Sequence, residues 1–264
     1  MTNPAIKRFR EDYMALNMGL KIPHPYFQQI EYIKLNSMII KEVVFRRHNK
    51  ILDIGSGAGH LIHGLSAISS GCFALDIESQ RLKEIIKKNP NISCFQANGE
   101  EGLPFKSRTF DIVIASELLE HLNNPMSFYR EVARVLRKKG ILVVTTPNSD
   151  NLTFKILRRL PKTLAASMTK KAGADLNLHP EFSGDRVLNR KNPHLHKVEG
   201  YTQKQLLRFG RDCGLEALFL RTFGLAIPDR AYSYLPKILT RLIVNHIEDH
   251  VLYGLRHIVV YENK

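Results

Sequence analysis

The chain is short of cysteine, of acidic residues and of long apolar runs, and each shortage removes a class of protein. Cys72, Cys94 and Cys213 are the only cysteines in 264 residues and show no metal-ligand spacing. Two of them fall inside apolar runs, which fits small buried thiols in a reducing compartment and argues against a disulfide scaffold. No apolar stretch approaches the ~20 residues that a spanning helix needs. Lys7, Arg8 and Arg10 follow Met1-Thr2-Asn3-Pro4 with no apolar segment behind them, so a secretory leader is not expected. A cytoplasmic protein, at most peripheral to a membrane, is the expectation. Internal repeats and low-complexity segments are absent. Acids number 25 against 39 lysines and arginines, a net charge of +14 that favours an acidic partner. RNA, anionic lipid and anionic small molecules all satisfy that charge. Aromatics do not interleave with the basic residues as a stacking platform would require, so nucleic acid is the lesser reading.

What is present begins with Ile51-Leu52-Asp53-Ile54-Gly55-Ser56-Gly57-Ala58-Gly59, an apolar strand that breaks into a glycine-rich turn. Glycines let a ligand approach the backbone closely, and a following helix offers unpaired N–H groups. Asp53, at the end of so apolar a strand, needs a hydrogen-bonding or charged partner, which a ligand ammonium or hydroxyl supplies. A tight strand-to-helix turn is the plainer alternative. His60 stands where a dinucleotide fingerprint has its third glycine, and no Gly-Lys-Ser/Thr follows, which argues against pyrophosphate and P-loop readings.

The pattern then repeats itself. Cys72-Phe73-Ala74-Leu75 ends in Asp76, Ile92 to Ala97 leads into Asn98-Gly99-Glu100, and Phe110 to Ser116 leads into Glu117-Leu118-Leu119-Glu120-His121. Asn124-Pro125 opens a helix through Phe128, Val132, Val135 and Leu136, followed by a fifth strand from Gly140 to Asn148. Five apolar runs alternating with helical spacing predict an α/β fold with a doubly wound parallel sheet. Two helices are predicted ahead of it, the second from Tyr26 to Val44. Gln203 to Phe209 reads as a helix capped by Thr202 and ended by Gly214, Leu215 to Phe223 as strand six, Leu235 to Val251 as a helix, and His257 to Tyr261 as strand seven.

This succession resembles the class I S-adenosylmethionine-dependent methyltransferases, well over residues 49–148 and loosely elsewhere. The resemblance implies a seven-stranded Rossmann-like sheet with an antiparallel last strand. It divides the chain into an N-terminal helical cap (1–48), a cofactor-binding core (49–148), an inserted substrate lid (149–200) and the rest of the sheet with an inserted helix (201–264). It also implies S-adenosylmethionine as cofactor, held by Asp53, Gly55, Ser56, Gly57 and Gly59, with Asp76 on the ribose hydroxyls, Ile77, Asn98, Gly99 and Glu100 about the adenine, and Ser116 at the end of strand four. Asn98 replaces the family's commoner aspartate, and Lys138-Lys139 replace its usual Pro-Gly. Methyl transfer is an in-line displacement that needs mainly proximity, with a base where the acceptor is a hydroxyl. His121 and His196 are the candidate bases, with His194 beside the latter.

The likeness to quinone-pathway O-methyltransferases raises two further expectations. Glu117, Glu120, His121 and a histidine of the insertion offer an oxygen and nitrogen set for Mg²⁺ or Mn²⁺, although many relatives with that run are not known to need metal. Phe154, Ile156, Leu157, Leu160 and Leu164 alternate with Lys155, Arg158, Arg159 and Lys162, which suits either a helix on an anionic bilayer or a solvated lid helix. The activity expected is methyl transfer to an oxygen of a small-molecule, glycan or lipid-linked acceptor. An RNA methyltransferase and a catalytically silent cofactor-binding regulatory or assembly protein are the alternatives.

Overall fold

Strands whose residues are apolar without interruption are those buried on both faces, and the computed structural model of the chain shows why. It describes residues 3–19, 26–46, 50–151, 200–223, 236, 239 and 256–264, with side chains described from residues 3–11 and 32–46 in the first two segments. Seven strands form one sheet: β1 (Lys50–Ile54), β2 (Gly71–Asp76), β3 (Ser93–Gln96), β4 (Phe110–Ser116), β5 (Leu136–Pro147), β6 (Leu215–Phe223) and β7 (Arg256–Asn263). Their order is β3-β2-β1-β4-β5-β7-β6, parallel from β3 to β5, with β7 antiparallel to both of its neighbours. The chain reverses direction in strand order beside β1, so the carboxyl ends of β1 and β4 frame the crevice in which such sheets take ligands.

Alternate residues of each central strand enter two separate cores. Ile51, Ile112, Ile114, Ile141, Val143 and Ile258 face one side with helices α1 (Pro4–Gly19), α2 (Tyr26–Val44), α3 (His60–Leu65) and α4 (Ser79–Lys88). Leu52, Val113, Ala115, Leu142, Val144 and Val259 face the other, where α5 (Pro125–Val135) and α6 (Gln203–Asp212) supply Phe128, Val132 and Leu206. A one-residue slip in any strand would exchange these faces, so the register is held by burial on both sides. Asn124 caps α5 by accepting from the Ser127 amide, and Thr202 with Gln205 forms a capping box on α6.

The fifth strand departs from the sequence expectation. It begins at Leu136 rather than Gly140, because Leu136 pairs with Phe110 before a bulge and leaves α5 in extended conformation. Lys139 then takes a left-handed φ of 63° where the resemblance leads one to expect a Pro-Gly turn. The predicted helix from Leu235 to Val251 lies almost wholly outside the described residues, and so do residues 152–199 of the expected lid. The two ends of that insertion are described, and they meet: Asn148 and Tyr201 form a parallel bridge, and Tyr201 donates its amide to the Pro147 carbonyl at 3.1 Å.

Among the described residues, no helix is long and apolar enough to cross a membrane.

Candidate functional site

The site is built where β1 and β2 run out. Gly55, Gly57 and Gly59 all take positive φ, between 53° and 75°, and the amides of Gly55 and Ser56 both donate to the Leu75 carbonyl. This folds the turn back across the end of β2. A Cβ at Gly59 would stand 2.4 Å from Ile85 Cγ1, so the third glycine lets α4 pack against the start of α3. Asp76 fastens the arrangement: its Oδ2 accepts from the Gly57 amide at 2.8 Å and its Oδ1 from the Glu78 amide at 2.9 Å. Each carboxylate oxygen keeps a further lone pair for a ligand donor. Ile77 follows with half its surface exposed, an apolar wall beside the carboxylate.

Asp53 is buried at the end of β1, and its carboxyl is pushed up to about 8, first by loss of solvent and then by the nearby Asp76 charge. Two buried carboxylates side by side make a site that a cation relieves. Ser56 Oγ is also buried with no hydrogen-bond partner among the described residues. An unmatched hydroxyl in a glycine turn, two converging acids and an exposed isoleucine fit a ligand that carries hydroxyls, positive charge and an apolar ring. They do not fit a phosphate, which two acids would repel.

Asn98 and Glu100 have tasks of their own. Asn98 Oδ1 accepts from the Glu100 amide and its Nδ2 donates to Glu101, while Glu100 accepts from the Asn124 amide through its carboxylate and from Ser127 Oγ through its carbonyl. They brace the turn after β3 against α5. Gly99, buried between them, lets Ile54 and Phe128 approach. Ser116 ends β4 with its hydroxyl 3.1 Å from Thr145 Oγ1.

A second polar cluster lies at the carboxyl ends of β4 and β5, around the first residues of β7. Glu117 has a φ of 51°, donates its amide to Thr145, and pairs through Oε2 with Arg256 Nε at 3.1 Å. Its other oxygen is buried without a hydrogen-bond partner among the described residues. Glu120 is buried, accepts from Thr146 Oγ1 at 3.1 Å, and is pushed up to about 8 by burial and by the Glu117 charge. His121, by contrast, sits exposed on the single 3₁₀ turn Leu119–His121. Among the described residues no three His, Cys, Asp or Glu side chains are placed to hold a metal ion, and His194 and His196 lie outside them.

His257 is the histidine that sequence reasoning left as a mere strand residue. It is fully buried opposite Thr146, and among the described residues neither ring nitrogen has a hydrogen bond of good geometry, although the main chain of Tyr201 favours its protonated form. Burial lowers its pKa to about 4 against the opposing pull of Tyr201 and Asp150. A base held below its unfolded value of 6.5 leaves stability untouched above that pH and removes it as pH falls from 6.5 to 4. Urea denaturation at pH 7 and at pH 4 is therefore expected to show an acid loss of about 3 kcal/mol from this residue, absent in His257→Leu. An unchanged acid loss in the variant would assign it elsewhere. Only the placement of Arg256-His257 at the mouth of an apolar strand hints at this cluster in the sequence.

A cavity of about 540 Å³ is found away from the glycine turn. It lies at the root of the insertion, between Asn148 and Asp150 and the Lys204, Leu207, Arg208 and Arg211 face of α6.

The arrangement matches known proteins. The family model of the methyltransferase domain matches residues 52–144, most of the sheet from β1 to β5 with both buried aspartates. A Mycobacterium tuberculosis protein named probable S-adenosylmethionine-dependent methyltransferase is 32% identical over 111 residues, 42% of this chain and 39% of that protein. The ubiquinone biosynthesis O-methyltransferase of Pelagibacter ubique is 30% identical over 129 residues, 46% of this chain and 52% of that protein. The matches thus span about two fifths to one half of these relatives. Among solved structures, a SAM-dependent methyltransferase of Thermotoga maritima superposes with a TM-score of 0.60 at 14% identity over 98% of both chains. The YcgJ protein of Bacillus subtilis does so with a TM-score of 0.55 at 16% identity over 88% of this chain and 98% of its own. These two establish the Rossmann-like fold.

Proposed function

We propose that the chain is an S-adenosylmethionine-dependent methyltransferase that places the methyl group on an oxygen of a small-molecule, glycan or lipid-linked acceptor. The observation that carries the first half is the pair of buried carboxylates, Asp53 and Asp76, at the glycine turn of a methyltransferase-domain core. When bound, the cofactor supplies an electrophilic methyl carbon on a positively charged sulfur. Asp53 and Asp76 give that cation an anionic floor, Asp76 accepts from its hydroxyls while holding the Gly57 amide, and Ile77 covers its ring. Support for an oxygen acceptor comes from the ubiquinone O-methyltransferase relatives and from the buried carboxyl of Glu120, held neutral where a hydroxyl would be received. His121 and His196 remain the proposed bases, and residues 149–200 the proposed lid.

The test is calorimetry with S-adenosylmethionine and S-adenosylhomocysteine, followed by detection of the latter as product with quinone and glycan precursors. Absence of binding heat with both compounds sinks the assignment. Binding has a pH signature as well. Asp53 holds a proton at neutral pH, and a cation placed beside it favours the ionised form, so binding at pH 7 is expected to release a proton and to tighten as pH rises toward 8. Titration in buffers of different ionisation enthalpy reads that proton directly, and an affinity flat from pH 6 to pH 9 would contradict the role of Asp53.

A further inference from the structure

The opposite end of the sheet carries a surface that methyl transfer does not use. Arg46, after α2 and 3.9 Å from Glu42 Oε2, lines a depression of about 190 Å³ with Arg137, Lys138 and Lys139, at the start of β5, and among the described residues lining it Asp111 is the one acid. Asp111 is already engaged on both oxygens, accepting from Arg137 Nη1 at 2.6 Å and from the Lys50 amide at 2.9 Å. Lys138 and Lys139 are exposed beside it, and Lys139 is held in the left-handed region of φ. Arg108, exposed at the start of β4, shares that backbone conformation with a φ of 55°. Next to Arg46 stands Phe45, 86% exposed and the only exposed aromatic among the described residues.

An exposed ring flanked by cations offers a shallow apolar anchor beside charges that attract an anionic surface. We propose that this amino edge of the sheet docks on an anionic membrane surface, with Phe45 entering the headgroup boundary and Arg46, Lys138 and Lys139 meeting lipid phosphates. A protein partner would need a buried apolar centre, and one ring provides none. A single-stranded nucleic acid would need several stacking faces along a basic groove. A bilayer asks only for a shallow anchor and cations within a Debye length of the surface. The length of β4, about 20 Å over the six rises of its seven residues, separates this edge from the carboxyl end of the sheet where the glycine turn lies, so docking leaves the site facing the aqueous phase.

Flotation of the full chain tests this, with vesicles of phosphatidylcholine alone and with phosphatidylserine added. Binding is expected only to the anionic vesicles and should be lost at high salt. Phe45→Ser and the pair Lys138→Glu with Lys139→Glu should each weaken it, by about fivefold or more for every cation removed, while thermal melting stays that of the parent. Lys155→Glu with Arg158→Glu and Arg159→Glu, in the insertion, should bind as the parent does. The proposal is overturned if the parent ignores anionic vesicles or binds only inorganic phosphate or single-stranded RNA. It is equally overturned if the insertion variant alone abolishes flotation. None of these readings depends on methyl transfer.

Discussion

Asp76→Ala is expected to lower the affinity for S-adenosylhomocysteine by about 100-fold, measured by calorimetry on folded protein. On the proposed binding mode the carboxylate receives hydroxyls of the ligand, and a charge-assisted hydrogen bond contributes about 1.5–3 kcal/mol. The same side chain also accepts from the Gly57 and Glu78 amides, so its removal frees the glycine turn at one end and the approach to α4 at the other. Two effects are therefore combined, and Asp76→Asn separates them. Asparagine keeps one acceptor oxygen but loses the charge, so it should retain part of the turn and lose most of the ligand affinity. If alanine leaves affinity within threefold of the parent, Asp76 is a fastening of the turn and nothing more.

Gly200→Ala is expected to destabilise the fold by more than about 3 kcal/mol, or to prevent folding, as read by thermal and urea denaturation. Gly200 has a φ of 63°, and a Cβ there would lie 2.0 Å from the Pro147 carbonyl oxygen and 2.4 Å from its carbon. Both obstacles are backbone, so no side chain can turn aside. Moving Pro147 would break its pairing with Arg256 and the hydrogen bond it receives from Tyr201. Gly214→Ala is the control, since its φ of 78° imposes the same left-handed penalty while nothing lies within 4 Å of the new methyl. That variant should lose only about 1–2 kcal/mol. Equal losses in the two would show that conformational strain, not collision, dominates at Gly200.

How much of this was readable in the chain depends on whether a feature is local. The ends of β1, β2 and β4 are legible because burial on both faces demands nearly uninterrupted apolar runs, and Asp53 and Asp76 stand out as the acids at the ends of two of them. The start of β5 is hidden, because Leu136 pairs with Phe110 ahead of Arg137-Lys138-Lys139, which has the composition of a turn and lies in the irregularity before pairing resumes at Ile141. Asn98 and Glu100 read as ligand groups from their position in the motif, whereas the main-chain donors each also accepts, a few residues away or across the domain, leave no mark in the sequence. His121 and Glu120 adjoin in sequence but part in space, one exposed and one buried, since a single 3₁₀ turn separates their directions. The cluster of Glu117, Glu120, Thr146, Arg256 and His257 is assembled through hydrogen bonds between residues 26 and 139 positions apart, which no periodicity records.

The bridge between Asn148 and Tyr201 has a consequence for how such a chain diversifies. Because departure and return points touch, whatever lies between them hangs from the sheet as a closed excursion. Lengthening it by a factor of two adds only about 0.6 kcal/mol of closure entropy. The scaffold can thus exchange one excursion for another, and on the proposed role of residues 149–200 one acceptor for another, while the strands beneath keep their pairing.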